Sequence, residues 1–198
     1  MQVFRSYELY KQYTEANALA VLQDLVRDWR SQLALNCPEQ SAANRESIIL
    51  WLIGNDLERF AQFDLNELAM TRQQMASRYR TLQQRYLGAS PEQAYRNLVT
   101  RLGCLVLLRH EARACVALCR NYRWLTVDVL EQVLQELLTC DLYMQHQIVW
   151  IAECSGDTEL RNALLFASLE EYCSRPIRQR PLIFYQFLNH LRQIQQQG

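Results

Sequence analysis

Apolar residues recur at steps of three and four along most of the chain, which is the spacing of one face of an α-helix. Glycine and proline number only 5 and 4, so few turns interrupt the pattern. We predict helices over the following spans: 7–35, 45–63, 65–87, 91–119, 127–154, 158–173 and 182–196. The pattern therefore predicts an all-α fold.

Helix starts are marked by capping residues. Asp64 precedes the third helix, and Glu67 three residues later completes a capping box. Ser90 followed by proline marks the start of the fourth helix, and Thr126 is the predicted cap of the fifth. From there two alternatives are open: one long helix with Asp141 buried inside it, or a break at 139–140 with Asp141 capping a sixth helix. We favour the break.

The fourth helix is apolar nearly all round at its centre, which indicates a buried central helix near 90–119. The run Ile48 to Ile53 is also apolar on all sides, so it should be buried or lie at an interface. The alternative to a second helix that continues to 63 is a break at Gly54 and Asn55. We therefore predict a single-domain helical bundle of about seven to eight helices covering 1–198, with a possible N-terminal subregion 1–63 joined to a core 64–198.

A heptad row runs along the third helix. Leu68, Met75 and Leu82 recur every seven residues, and Tyr79 and Tyr86 follow on the adjoining row. Such a row is typical of a coiled-coil seam. These five residues are the candidate interface for a protein partner or for self-association.

Composition narrows the class of protein. Hydrophobic residues make up 49% of the 198, which excludes a disordered chain. The first residues hold no apolar leader, so we expect a cytoplasmic protein whose 7 cysteines are reduced. The apolar run 104–108 is too short to span a bilayer, and we expect no membrane association.

Charge is sorted into blocks although the total is zero. Residues 72–123 hold ten arginines and two acids, whereas residues 124–173 hold nine acids and one arginine. The first 71 residues carry −4 and the last 25 carry +4. Either the basic helices pair with the acidic helices of the same chain, or they stay exposed and face an anionic partner. We favour internal pairing.

Two arginine clusters are candidate binding residues for an anion or an acidic partner. Arg109, Arg113 and Arg120 fall on one face of the fourth helix, where each charge must find a partner. Arg175, Arg178 and Arg180 lie in a proline-flanked connector between the last two helices and form a cationic arm.

The sequence contains no complete catalytic motif and no set of residues with metal-ligand spacing. His110-Glu111 resembles the start of a zincin site but lacks the second histidine, and Cys104 and Cys115 are too far apart along a helix for one metal ion. We therefore expect no cofactor, no metal and no enzymatic activity. The predicted function is a cytoplasmic protein-interaction or regulatory module that can self-associate. The alternative is a nucleic-acid-binding transcriptional regulator using block 72–123 and the 175–180 arm, although the pI near 6.8 argues against it.

Overall fold

The computed structural model describes residues 20–108 and 122–197 of the chain. In that part the structure is helical apart from one short hairpin, so the predicted all-α fold is confirmed. The helices are α1 (20–36), α2 (Ala42–Ile53), α3 (Leu65–Arg85), α4 (Pro91–Leu107), α5 (Tyr122–Cys140), α6 (Leu142–Cys154), α7 (Thr158–Ser174) and α8 (Leu182–Gln197). A 3₁₀ turn covers Glu58–Gln62, and the strands β1 (Pro176–Ile177) and β2 (Arg180–Pro181) form the hairpin.

Three of the predicted caps are present. The Asp64 carboxylate accepts the Glu67 N–H at 2.7 Å, and the Glu67 carboxylate accepts the Asp64 N–H at 2.9 Å. Ser90 Oγ accepts the Gln93 N–H at 3.3 Å. Asp141 Oδ1 accepts the Met144 N–H at 3.0 Å, so the break between α5 and α6 is confirmed and Asp141 caps α6.

Two predicted helix boundaries are wrong. Thr126 lies inside α5, which begins at Tyr122, so it does not cap that helix. The second helix begins at Ala42 and ends at Ile53, well before 63. Gly54 ends it with φ 82° and ψ 177°, a conformation that glycine alone adopts readily. The fourth helix is described to Leu107, and the rest of its predicted span, from 109, lies outside the described residues.

The chain divides into two compact units. Unit 1 comprises Met1–Arg80 with Glu153–Asp157, and unit 2 comprises Thr81–Ala152 with Thr158–Gly198. The division falls within α3 and within α6. The predicted division at 63/64 stays a prediction.

Unit 1 buries aromatic and aliphatic side chains of α1 and α2. The predicted apolar run of α2 is buried except at Leu50, which is 46% exposed. Trp29 of α1 meets Tyr79 of α3 edge to face, with ring centroids 5.4 Å apart. The Cys37 thiol and the Tyr79 hydroxyl are 2.9 Å apart, and burial raises the pKa of both groups. Both groups are therefore protonated near neutral pH.

Two arginines of unit 1 reach the end of α2. The Arg59 guanidinium donates to the Ile53 carbonyl. The Arg78 guanidinium lies 4.3 Å from the centre of the Trp51 ring and donates to the Trp51 carbonyl at 3.4 Å. The last carbonyls of a helix have no partner within it. Arginine side chains therefore complete this helix end.

Unit 2 is built around α4. This helix contacts α5, α7 and α8, and one face of it is buried, with exposed residues on the other. The buried residues recur every four positions: Ala94, Leu98, Leu102 and Val106. Phe184 and Phe187 of α8 are fully buried in the same unit. The hairpin joins α7 to α8, and β2 contacts α8.

Candidate cationic binding site

The predicted cationic arm folds as a two-residue hairpin, residues 175–181. Pro176 pairs with Pro181 and Ile177 pairs with Arg180 in antiparallel register. Its base is closed because the Leu182 N–H donates to the Arg175 carbonyl at 2.9 Å. We call residues 175–181 the arm from here on. The sequence predicted its charge and place, and the structure adds a defined shape.

The tip of the arm holds two residues in an unfavourable backbone conformation. Arg178 has φ 46° and Gln179 has φ 68°. Positive φ at both central residues belongs to type I′ turns, where asparagine and glycine are preferred. Each non-glycine residue in this region costs about 1 kcal/mol. The arm therefore keeps a long cationic side chain at a position where the backbone favours a small residue.

Arg175 is held in place by two stacked tyrosines. The rings of Tyr143 and Tyr172 lie 4.7 Å apart with a 20° angle between their planes. The Arg175 guanidinium lies 4.9 Å from the Tyr143 centroid and 5.3 Å from that of Tyr172. Arg175 stays exposed, so solvent and partners can reach it. A guanidinium stacked on rings keeps its in-plane N–H groups for acceptors.

Asp141 fixes the tyrosine pair. Its Oδ2 accepts the Tyr172 hydroxyl at 2.8 Å, while its Oδ1 caps α6. Burial and, after it, the hydrogen bond to Asp141 raise the pKa of Tyr172 to about 12. The hydroxyl is therefore a donor at neutral pH. The position of Arg175 thus depends on a chain of contacts from α6 through α7 to the arm.

The other two arginines of the arm differ in their contacts. The Arg180 guanidinium lies 5.0 Å from the Phe184 ring centre and is half-buried. Arg178 is exposed, and within 20–108 and 122–197 no side chain or carbonyl pairs with it. Ile177 beside it is 40% exposed. The arm therefore displays one unpaired arginine and one stacked arginine next to an apolar side chain.

Part of the basic block is paired with the acidic block, as the favoured interpretation expects. Glu170 of α7 is 4% exposed and binds three groups. It forms an ion pair with Arg85, lies 3.4 Å from Arg101 Nε, and accepts the Tyr86 hydroxyl at 2.6 Å. A buried carboxylate needs such partners to remain charged. Arg85 and Arg101 therefore help to stabilise the fold through this buried carboxylate.

The remaining exposed arginines of the basic block differ in whether they lie near a carboxylate. Arg72 lies 3.7 Å from Asp28, and Arg96 lies 3.8 Å from Glu92 of its own helix. Arg80 is exposed and has no partner among the described residues. Four of the block's arginines in this part of the chain therefore face carboxylates.

The heptad row of α3 is covered by the chain itself. Met75, Tyr79, Leu82 and Tyr86 are at most 6% exposed, and Leu68 is half-buried. Tyr86 also stacks near Phe166, with centroids 6.0 Å apart. An interface role for this row stays a prediction, and no exposed seam is formed by its four buried members.

Arg109, Arg113 and Arg120 lie outside the described residues, so their predicted stripe stays a prediction. Sequence reasoning missed the support of the arm, namely Asp141, Tyr143 and Tyr172. Tyr143 and Tyr172 are far apart in sequence, and no periodic pattern links them. The tyrosine three residues before Arg175 was the one local signal.

Two cavities in unit 2 are smaller than a usual ligand pocket. One cleft of about 290 Å³ lies between the α3–α4 turn and α7, lined by Gly88, Ala94 and Asn162 among others. A second, of about 220 Å³, lies beside Glu136 and Asp141. Ligand pockets usually start near 300 Å³. The arm, rather than a cleft, is the most developed candidate site.

Within the described ranges no group of three His, Cys, Asp or Glu residues could hold a metal ion. None of the helices described there is long and apolar enough to cross a bilayer. No protein-family model, curated protein or solved structure matches the chain.

Proposed function

We propose that the chain is a non-enzymatic protein-interaction or regulatory module of the cytoplasm, and that the arm is the surface that contacts its partner. One observation carries the proposal. Arg178 stands exposed and unpaired among the described residues, at a turn position with φ 46°. Strained residues that persist cluster at functional positions. A fold selected for stability alone would place asparagine or glycine at this turn.

The chemistry of the arm fits a carboxylate-bearing partner. Arginine forms two parallel hydrogen bonds to a planar carboxylate, and a fixed guanidinium loses less entropy on binding than a mobile one. Arg175 is fixed by Tyr143 and Tyr172. Ile177 adds an exposed apolar contact next to the charges. The arm therefore suits a segment that carries both acidic and apolar side chains.

Charge distribution favours a protein over nucleic acid as the partner. A nucleic-acid surface needs an extended row of cations along the phosphate backbone. In the basic block, Arg85 and Arg101 bind Glu170, and Arg72 faces Asp28. Arg80 is the one arginine of the block that is exposed and without a partner among the described residues, so the described part of the block forms no extended row of unpaired cations. The nucleic-acid alternative remains as an outcome of the test below.

The test separates stability from binding with one double substitution, Arg178→Asn with Gln179→Gly. These are the preferred residues of a type I′ turn. The free energy of unfolding should therefore increase by about 1 kcal/mol, which is measured as a higher melting midpoint. Affinity for a poly-glutamate peptide, measured calorimetrically at low salt, should fall about tenfold because a charge-assisted pair is lost. The matched control is Arg96→Gln, which removes an exposed arginine of the same unit and should leave that affinity unchanged.

Two results would overturn the proposal. Unchanged poly-glutamate affinity in the Asn-Gly variant would show that the arm is not the contact surface. Tighter binding of the unaltered chain to a mixed oligonucleotide pool than to poly-glutamate, with a steep loss in salt, would transfer the function to the nucleic-acid alternative.

A further inference from the structure

We infer that the partner of the arm is a second copy of this chain, and that the arm docks on an acidic stripe of α5 in that copy. The inference rests on the proposed function, because it takes the arm to be the contact surface. It adds the identity of the partner and the place where the arm binds.

The acidic stripe is the solvent face of α5. Six of its exposed positions follow one another at steps of one or three residues, which places them on one side of the helix. They are Asp128, Glu131, Gln132, Gln135, Glu136 and Thr139. Three of the six are acids, and residues 127–140 include no lysine or arginine. The stripe therefore carries −3, equal and opposite to the three arginines of the arm.

The charges of the stripe are poorly compensated by the chain. Glu136 lies 3.7 Å from His190 Nδ1, and a histidine offsets a carboxylate only when it is protonated. Glu131 lies near the Tyr95 hydroxyl, whose pKa is raised to about 12 by burial and then by Glu131. Asp128 has no ion-pair partner in the part of the chain that the structure describes. Asp128 and Glu131 are three residues apart on the helix, and two like charges at this spacing destabilise it.

The dimensions of the two surfaces agree. Asp128 to Glu136 spans about 12 Å of helix, which is comparable with the length of the short hairpin. Val127 at the end of the stripe is 40% exposed, as is Ile177 of the arm. The contact would therefore place the exposed Arg175 and Arg178 against the acids of the stripe and bring two apolar side chains together at its edge.

Both surfaces belong to unit 2 and rest on the same helix. α5 contacts α8, and β2 of the arm contacts α8 as well. Two copies related by a two-fold axis would make the arm-to-stripe contact twice, which is how most homodimers associate. This reciprocity favours a second copy over an unrelated acidic protein, which would leave the stripe uncovered.

The test is a charge-reversal exchange measured by light-scattering mass. The arm variant is Arg178→Glu with Gln179→Glu, which leaves the stacked arginines in place, and the stripe variant is Asp128→Arg with Glu131→Arg. The unaltered chain should be dimeric at about 20 mM salt and monomeric at about 500 mM. Each variant alone should associate roughly 100-fold more weakly. An equimolar mixture of the two should restore a 1:1 dimer, because the unaltered arm meets the unaltered stripe at one contact and the two glutamates at the arm tip meet the introduced arginines at the other.

The matched control is Gln93→Glu with Arg96→Glu, two exposed residues of α4 that undergo the same change in charge. It should dimerise like the unaltered chain. An exchange mixture that stays monomeric overturns the inference, as does an unaltered chain that is monomeric at both salt concentrations. If a variant misfolds, the mass of the unaltered chain at the two salt concentrations still tests the inference.

The two proposals fail differently. If the unaltered chain binds poly-glutamate through the arm but the exchange mixture does not pair, the arm is a contact surface for another acidic protein and the self-association inference is wrong. If poly-glutamate binding is also insensitive to the arm, both proposals are wrong.

Discussion

Units 1 and 2 use arginine in opposite ways. Unit 1 contains 12 acids and 9 bases, and unit 2 contains 9 acids and 12 bases. In unit 1, Arg59 and Arg78 turn inward to the carbonyls that end α2. In unit 2, Arg85 turns inward to Glu170, whereas Arg175 and Arg178 of the arm are exposed to solvent. The partner, whether carbonyl, carboxylate or ring, decides whether an arginine holds the fold or remains available for binding.

The largest loss of stability is expected at Glu170, the buried acid to which the inward arginines of unit 2 bind. Replacing it with alanine leaves Arg85, Arg101 and the Tyr86 hydroxyl without their shared acceptor. We expect a loss of about 3 kcal/mol in the free energy of unfolding, measured by urea denaturation. The control is Glu171→Ala, the exposed neighbouring acid, which should cost much less. Equal costs would show that the inward arginines of unit 2 do not depend on the buried carboxylate.

The second test concerns Arg78 in unit 1. Arg78→Ala removes the stack on Trp51 and the contacts with the carbonyls of α2, which should cost about 2 kcal/mol. Arg78→Lys should recover less than half, since lysine lacks the planar fork. Arg80→Ala is the matched control, because Arg80 is exposed two residues away. A cost for Arg80→Ala as large as that for Arg78→Ala would contradict the assignment.

A smaller effect is expected in the arm. Arg175→Ala together with Arg180→Ala should cost about 1 kcal/mol, because three cation–π contacts of exposed or half-exposed arginines are lost. Arg178→Ala alone should change the unfolding free energy by less than about 0.5 kcal/mol. Thermal denaturation of the three proteins gives both values. A large loss from Arg178→Ala would make the tip structural and weaken the proposed function.

The smallest effect depends on pH. Folding raises the pKa of Tyr172 to about 12, above the ordinary tyrosine value near 10. The stabilisation linked to its proton is therefore complete below about pH 10 and is lost as pH rises from about 10 to 12. Tyr172→Phe should show a shallower decline of the unfolding midpoint over that range. A decline as steep as that of the unaltered chain would assign the alkaline loss to other tyrosines.

Much of the helical fold could be predicted from local chemistry. Asp64, Ser90 and Asp141 each act within four residues, so a short stretch of sequence contains both the cap and its target. The predicted cap at Thr126 is wrong because threonine also occurs within helices, and α5 starts four residues earlier. The span to 63 was predicted too long for α2, since the apolar pattern continues after Gly54, whereas the alternative break at Gly54 and Asn55 agrees with the end of the helix at Ile53.

The candidate site was less predictable, because its parts are distant in sequence. The charge and flanking prolines of the arm were visible, but Arg-Gln is not a recognisable hairpin turn. Glu170 and Glu171 look alike in the sequence, yet the first is 4% exposed and the second is exposed. Which acid is buried depends on the tertiary approach of α3 and α4 to α7, which no local pattern encodes.

Asp141 links the arm to the integrity of unit 2, because one carboxylate both begins α6 and anchors the tyrosines beneath Arg175. An unfolded chain has the same arginines but does not hold them in this arrangement. A partner that binds the arm therefore binds the native state in preference, and at 100 times its dissociation constant it adds about 2.7 kcal/mol to stability. By mass action, the lifetime of the chain against proteolysis should then rise with the concentration of whatever occupies the arm.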